Sequence, residues 1–237
     1  LTKRLIETTQ AHVCIYSRGE VAQATMRAEM SLEFGTTARE RLHYFIGDVR
    51  DLQRLRRAMQ GCDTVIHAAA LKRIEVGHDN PGEMIKTNVI GSMNVVEAAM
   101  DTKPRMVVGI SSDKAFHPVS PYGISKAMAE ALFLNANNMR GADGPWFSCC
   151  RYGNVAGSTG SVIPTWRSLL ERGATIVPVT DPEATRFWMT IDQAVDLVLD
   201  TACGPYGGEL NIPVLPAYRL GDLAQAMGAK MDVRGMG

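Results

Sequence analysis

The sequence predicts an α/β fold built on a doubly wound parallel sheet, and three observations carry that expectation. Short apolar runs alternate with stretches of helical period along roughly the first two thirds of the chain. The helical stretches are long enough to cross a sheet and return, which lays successive strands parallel by right-handed crossovers. From about residue 155 the texture changes to Gly/Ser loops with shorter elements, as expected of a smaller lobe interwoven with the sheet domain.

The elements follow in order. "LTKRLIETTQ" at 1–10 reads as a helix, "AHVCIYS" (11–17) as a strand and "LHYFIGD" (42–48) as another. "DLQRLRRAMQG" (51–61) has Leu and Met at helical spacing, an aspartate N-cap and a closing glycine. "DTVIHAAA" (63–70) reads as a buried strand, and "PGEMIKTNVIGSMNVVEAAMD" (81–101) as a long helix entered through Pro81. A strand at 105–112, a helix at 121–140 and a strand at 146–154 complete the first domain, set at residues 1–154. Residues 155–237 form the expected substrate lobe, with a helix after the "VAGSTGS" loop, strand and loop through "ATIVPVTDPEATRFWMT", and a helix at "IDQAVDLVLDTA". A doubly wound nucleotide fold opens with a strand and a Gly-rich turn whose N–H groups meet a pyrophosphate. That opening strand and loop are missing here, for no glycine occurs before Gly19. Both ends of the chain read as cut.

Bulk properties exclude several classes of function. The 237 residues carry zero formal net charge, which suits neither a nucleic acid nor a membrane surface as partner. No apolar run approaches the ~18–20 residues of a membrane span, so a cytoplasmic protein is expected. The five cysteines form no C-x-x-C pair, and the expectation is reduced thiols without a disulfide or zinc. His67 and His117 have no second ligand at a metal-binding spacing, so no metal is expected.

The chemistry concentrates in "SSDKAFHPVSPYGISK", residues 111–126. Tyr122 and Lys126, at i and i+4, share a helix face. An ammonium near a phenol favours the phenolate, which can take a hydroxyl proton while a nicotinamide takes hydride from the same carbon. Ser112, at the end of the preceding strand, can donate to that hydroxyl. Asp113 and Lys114 lie just past the same strand end, where α/β sheets bind ligands. Two readings fit them: an ion pair in a surface loop, or an acid and a base for eliminating water next to a new ketone. The second requires a neutral lysine and a protonated carboxyl, the reverse of what adjacent charges favour.

Together "YSRGE", "FIGDVRD", "HAAALK", "IKTNVIGSMNVVEAA", "SSDKAFHPVSPYGISK", "RYGNVAGSTGSVIP" and "TRFWMT" resemble, in order and spacing, the inverting UDP-N-acetylglucosamine 4,6-dehydratases of the extended short-chain dehydrogenase/reductase superfamily. The resemblance covers nearly the whole chain. It implies a Rossmann-type fold, NADP as bound cofactor, UDP-N-acetylglucosamine as substrate and a homo-oligomer. It implies that Tyr122, with Lys126 and Ser112, serves oxidation at carbon 4. Lys114 would then remove the carbon-5 proton and Asp113 assist departure of the 6-hydroxyl, and reprotonation from the opposite face inverts carbon 5. The product belongs to the precursors of surface-glycan and flagellin-modifying sugars.

Other roles are implied residue by residue. Arg18 would meet the adenosine 2′-phosphate, Asp48 and Val49 the adenine edge, and Ala68, Ala69 and Ser111 the remainder of the cofactor, with Val155 beside the nicotinamide. Lys72, Asn154, Thr159, Gly160, Ser161 and Val162 would contact substrate, and Arg186 the UDP phosphates. The chain departs from the family at Gly19, where an aspartate is usual, at Ser112 for threonine, and at Thr159 for arginine. Related forms with N-terminal membrane spans typically have methionine at the Tyr122 position, so tyrosine points to the short, soluble form. Two alternatives stand: a UDP-sugar 4-epimerase-like oxidoreductase, which leaves Asp113–Lys114 without a task, and an inactive, truncated nucleotide-sugar binding module.

Overall fold

A computed structural model describes residues 1–158 and 160–235. The chain divides into two compact units: Leu1–Arg151 with Val198–Asn211, and Tyr152–Leu197 with Ile212–Gly237. The boundary therefore falls near the single cut expected at 154/155, but the stretch around 198–211 returns to the first unit.

The first unit opens with α1 (Thr2–Thr8), β1 (Val13–Ser17), α2 (Glu20–Arg41) and β2 (Leu42–Ile46). Then come α3 (Leu52–Met59), β3 (Thr64–His67) and α4 (Ile74–Asp79). Asp51 caps α3 by accepting from the Arg54 N–H at 3.0 Å, as its position predicts. The long helix expected over 81–101 is three pieces: α5 (Pro81–Met84), a π-helical segment Ile85–Ile90, and α6 (Gly91–Thr102). After it come β4 (Met106–Ser112), a 3₁₀ turn at Asp113–Ala115, α7 (Pro121–Met139) and β5 (Trp146–Tyr152).

The second unit holds α8 (Val162–Glu171), β6 (Ile176–Val179) and β7 (Thr185–Phe187). Helix α9 (Ile191–Cys203) begins there and ends in the first unit, which also receives β8 (Leu210–Asn211). Strand β9 (Ala217–Arg219), α10 (Leu220–Ala226) and β10 (Lys230–Val233) complete the second unit. Its core is Trp166, Val177, Val179, Leu220 and Ala224. The Trp166 indole donates to the Pro178 carbonyl at 3.2 Å, which satisfies the one polar atom of that buried ring.

The first unit's sheet is parallel wherever its pairs are resolved, but it is split. Strand β1 pairs with β2, Val13 opposite Leu42, while β3, β4, β5 and β8 form a separate four-stranded sheet with His67 opposite Gly109. Strands β1 and β3 do not pair with each other. A cavity of about 380 Å³ lies along both, lined by Cys14 and Tyr16 of β1, Val65 and His67 of β3, and Leu55 and Val95 from the helices. In a doubly wound sheet the chain's opening strand occupies the centre, between the second strand and the fourth. The split in this unit falls between β1 and β3. The core beside it packs Phe133, Phe147, Val95, Ala98 and Val107, all essentially inaccessible to solvent.

Candidate active site

Strand β4 ends at Ser112 and the chain turns at once through Asp113 and Lys114, so these three residues sit at the carboxyl end of a buried strand. Helix α7 starts eight residues after Asp113, with Ser120 accepting from the Gly123 N–H at 3.2 Å and Pro121 in the first turn. That start places Tyr122 and Lys126 on the face toward β4. Gly123 is what lets the helix and the turn touch: a Cβ there would lie 2.2 Å from the Lys114 carbonyl oxygen.

Ser112 joins the cluster together. Its hydroxyl donates to Asp113 Oδ1 at 2.9 Å, accepts from the Lys114 N–H at 3.3 Å, and hydrogen-bonds the Tyr122 phenol. Lys114 Nζ lies 3.1 Å from Asp113 Oδ1. The pair's side chains are 35% and 23% exposed, for lysine and aspartate in turn, so neither group projects freely into water. The acid, the base and the phenol are therefore one connected group rather than a loop ion pair standing apart from the tyrosine.

The tyrosine–lysine pair departs from the expectation. Burial raises the Tyr122 phenol above its ordinary value, the Ser112 hydrogen bond works against that, and the Asp113 charge adds to it. Lys126 is buried and donates to the Ile110 carbonyl, and burial pushes its ammonium down to about 8. The lysine is thus a backbone-anchored group beneath the site, and its charge is not what governs the phenol in this state. His67 lies nearby, held down to about 3 by burial and by the Lys126 charge, with its ring 3.3 Å from the Ser92 hydroxyl.

A second cavity, about 550 Å³, is lined by Arg18, Gly19, Gly47, Val49, Ala69 and Thr87 among others. Of its lining, Thr87 Oγ1 is buried without a hydrogen-bond partner, and such an orphaned atom asks for a ligand or water; Ser111 Oγ, outside that lining, is orphaned too. Small residues, a guanidinium and an unsatisfied hydroxyl fit a nucleotide cofactor. Arg18 Nη1 stands 3.6 Å from Asp48 Oδ2, and Arg50 grips the same carboxylate at 2.7 Å. Burial opposes ionisation of Asp48, yet the two arginines outweigh it and hold the carboxyl below its usual range. Val49 is buried with its carbonyl accepting from the Asn94 amide at 2.9 Å, while Ala68 is exposed at the mouth of the first cavity. Lys72 is exposed.

In the second unit Asn154 and Val155 lie in a short bridge to Met189, whose N–H donates to the Asn154 carbonyl at 3.2 Å. Asn154 Oδ1 and Ser161 Oγ are both buried without a partner. Gly160 is in the turn before α8, Val162 is the first residue of that helix, and Arg186 lies on exposed β7 with one nitrogen on the Thr185 carbonyl at 2.8 Å. Thr159 lies outside the described residues.

Two residues of evident importance to the site escaped the sequence reading. Asn88, in the π-helical segment, clasps Leu71 from both sides, accepting its N–H and donating to its carbonyl at 2.8 Å each, and also bonds Ser125 at 2.9 Å. It thereby ties the segment just before Lys72 to helix α7. An amide in the middle of a helix was the available signal, since such a residue competes with its own backbone unless it has another partner. Gly123 is the other, concealed inside a helical pattern. Among the described residues no cluster of three or more His, Cys, Asp or Glu side chains can hold a metal, and no helix is long and apolar enough to cross a membrane.

The fold, with helix α7 packed beside the serine-bearing end of β4, is that of the dTDP-glucose 4,6-dehydratase DesIV of Streptomyces venezuelae, which matches with a TM-score of 0.84 at 20% identity across 100% of this chain and 80% of that one. More narrowly, the chain belongs to the polysaccharide biosynthesis protein family, whose model matches residues 1–236. It is 40% identical over 232 residues to the UDP-N-acetylglucosamine 4,6-dehydratase (inverting) of Campylobacter jejuni, across 98% of this chain and 67% of that one. It is 37% identical over 213 residues to the UDP-glucose 4-epimerase of Rickettsia conorii, across 90% of this chain and 60% of that one. The structure of Pen from Bacillus thuringiensis matches with a TM-score of 0.91 at 32% identity, across 99% of this chain and 72% of that one.

Proposed function

We propose that this protein carries out the 4,6-dehydration of UDP-N-acetylglucosamine, losing water from carbons 5 and 6 with inversion at carbon 5, using NADP. The observation that carries the reading is the direct Lys114–Asp113 contact at 3.1 Å, joined to Tyr122 through Ser112. Elimination needs a neutral amine and a carboxylic acid. Closing a sugar over the pair strips its water, and in a poorly solvated site two opposite charges in contact lower their energy by passing one proton from ammonium to carboxylate. The contact distance makes that transfer a single step. It supplies both required forms at once.

A nicotinamide cofactor, held by Arg18, Val49, Ala69 and Thr87, would supply the hydride chemistry at carbons 4 and 6. The chain's own groups do the proton work. Tyr122 takes the proton of the 4-hydroxyl; burial raises its phenol, and the Ser112 hydroxyl works against that. The ketone at carbon 4 acidifies carbon 5, the neutral Lys114 removes that proton, and protonated Asp113 delivers its proton to the departing 6-hydroxyl. Lysine and aspartate end as the ion pair from which they began, and carbon 5 takes a solvent-derived proton on the opposite face as hydride reaches carbon 6. Asn154 and Ser161, with unpartnered buried oxygens, serve as substrate-lobe contacts along with Lys72, Gly160, Val162 and Arg186. Family resemblance supports a cytoplasmic homo-oligomer feeding surface-glycan or flagellin-modifying sugars.

Purified protein incubated with UDP-N-acetylglucosamine and NADP⁺ in deuterated water is expected to give a product lighter by one water and labelled at carbon 5, read by mass spectrometry. The kinship with a protein named UDP-glucose 4-epimerase favours a second reading, reversible oxidation at carbon 4 alone. Unchanged mass with an altered carbon-4 configuration would select it. Retention of UDP-sugar with no turnover would leave only a binding module.

The cofactor preference has its own test. Arg18→Ala removes the guanidinium expected on the 2′-phosphate, and a charged hydrogen bond of ~1.5–3 kcal/mol corresponds to a rise of about tenfold or more in KM for NADP⁺. KM for NAD⁺ should stay nearly constant. Equal effects on both cofactors would remove Arg18 from that role.

A further inference from the structure

Two thiols outside the catalytic cluster meet at the edge of the split sheet. Cys14 of β1 donates to the Ala58 carbonyl at 3.4 Å, and Cys62, in the turn between α3 and β3, reaches the same oxygen at 3.7 Å. Both are half-buried, and both line the cavity of about 380 Å³ along β1 and β3. The other cysteines stand apart from this arrangement: Cys149 and Cys150 are buried in β5, and Cys203 is exposed at the end of α9.

The pair is unequal in the way a reactive dithiol must be. The neighbouring Cys14 thiol holds Cys62 down to about 7, although burial and the Asp63 carboxylate both push it up. The Cys62 sulfur, with burial, raises Cys14. One sulfur is therefore available as an attacking thiolate near neutral pH while its neighbour stays protonated. The turn that carries Cys62 follows Gly61, whose φ of 75° marks a tight bend rather than a strand. Cys62 lies outside both α3 and β3, so it can close the remaining separation toward the ~2.05 Å of an S–S bond without disturbing a ladder.

We propose that Cys14 and Cys62 are a peroxide-sensitive dithiol whose disulfide fastens the β1–β2 pair to the entry of β3. The Cys62 thiolate attacks one oxygen of a hydroperoxide, breaking the O–O bond to give a sulfenic acid and releasing hydroxide or alkoxide, which takes a proton from water. The Cys14 sulfur then attacks the sulfenic sulfur, expelling its oxygen as water with the Cys14 proton. Two electrons pass from the two sulfurs to the peroxide, and the product is one disulfide.

The test uses a Cys203→Ser background, which removes the exposed thiol. Treatment with a small molar excess of hydrogen peroxide is expected to consume two thiols and yield one crosslink between the Cys14 and Cys62 peptides. Dithiothreitol should reverse it, and Tm should rise on oxidation, because the crosslink closes a long loop of the unfolded chain. With Cys14→Ser in addition, a dimedone-trapped sulfenic acid should accumulate on Cys62. Should the second variant not fold, peptide mapping of the Cys203→Ser protein decides alone. Peroxide that leaves Cys14 and Cys62 alkylatable, or that carries Cys62 to sulfinic acid while Cys14 stays free, overturns the proposal.

Discussion

Replacing Lys114 with alanine is expected to stop water loss while leaving oxidation at carbon 4 in place. General-base catalysis contributes about 10²–10⁴-fold, so turnover to the 4-keto-6-deoxy sugar should fall about a thousandfold. Reduced cofactor should still appear on mixing with UDP-N-acetylglucosamine, because Tyr122 and Ser112 keep their hydrogen bond. Exchange of the carbon-5 proton with deuterated solvent should vanish. Removing the lysine also frees Asp113 from its 3.1 Å partner while Ser112 still donates to it. Stopped-flow absorbance of the nicotinamide and deuterium content of recovered substrate measure the two halves separately. Persistent exchange at carbon 5 would assign proton removal to another group.

Gly123→Ala is the second large effect, and it acts through geometry. A methyl group at this position would meet the Lys114 carbonyl oxygen at 2.2 Å and Pro118 Cβ at 3.1 Å. The first of these is backbone, so no rotamer change relieves it, and helix and turn must part. Overpacking of this kind costs about 1–3 kcal/mol, which should lower Tm by several degrees. The greater loss is catalytic. The displacement pulls the Asp113–Lys114 turn away from Tyr122, and misplacement of reacting groups by about 1 Å costs about a hundredfold. Thermal melting and kcat on one preparation check both. A variant that melts early but turns over normally would show that the turn keeps its position without the close packing.

How much of this was legible beforehand differs by element. Strands β1 to β5 and helices α3 and α7 were readable because short apolar runs or helical spacing mark them, β4 and β5 burying theirs almost whole, and Asp51 and Ser120 cap where such residues should. Helix α2 was not readable. Leu32 is 89% exposed and Val21 79%, while burial falls on Met30 and Ala38, so the helix has no apolar stripe to announce it. The two-residue strand β8 and the short β9 and β10 take their strand character from partners distant in sequence, which no local window contains. The π-helical segment at 85–90 is invisible to a periodicity argument, yet it sets Asn88 on Leu71.

The site divides in the same way. Residue types and spacing announced the acid, the base and the phenol. They could not announce that Ser112 binds all three, since its hydroxyl serves Asp113, the Lys114 N–H and Tyr122 from one strand end. Nor could they foresee that Lys126 spends its ammonium on the Ile110 carbonyl, because that depends on how deep α7 sits against β4. The role of Gly123 required a distance.

Most sheets keep their unspent backbone donors at the rim, where charged side chains and prolines guard them against stray pairing. Here the sheet of the first unit keeps such a pair of facing edges at its centre, along β1 and β3. Apolar groups such as Tyr16, Val65 and Leu55 line the space along those edges, so any group that enters it must satisfy backbone donors and cover hydrocarbon at once.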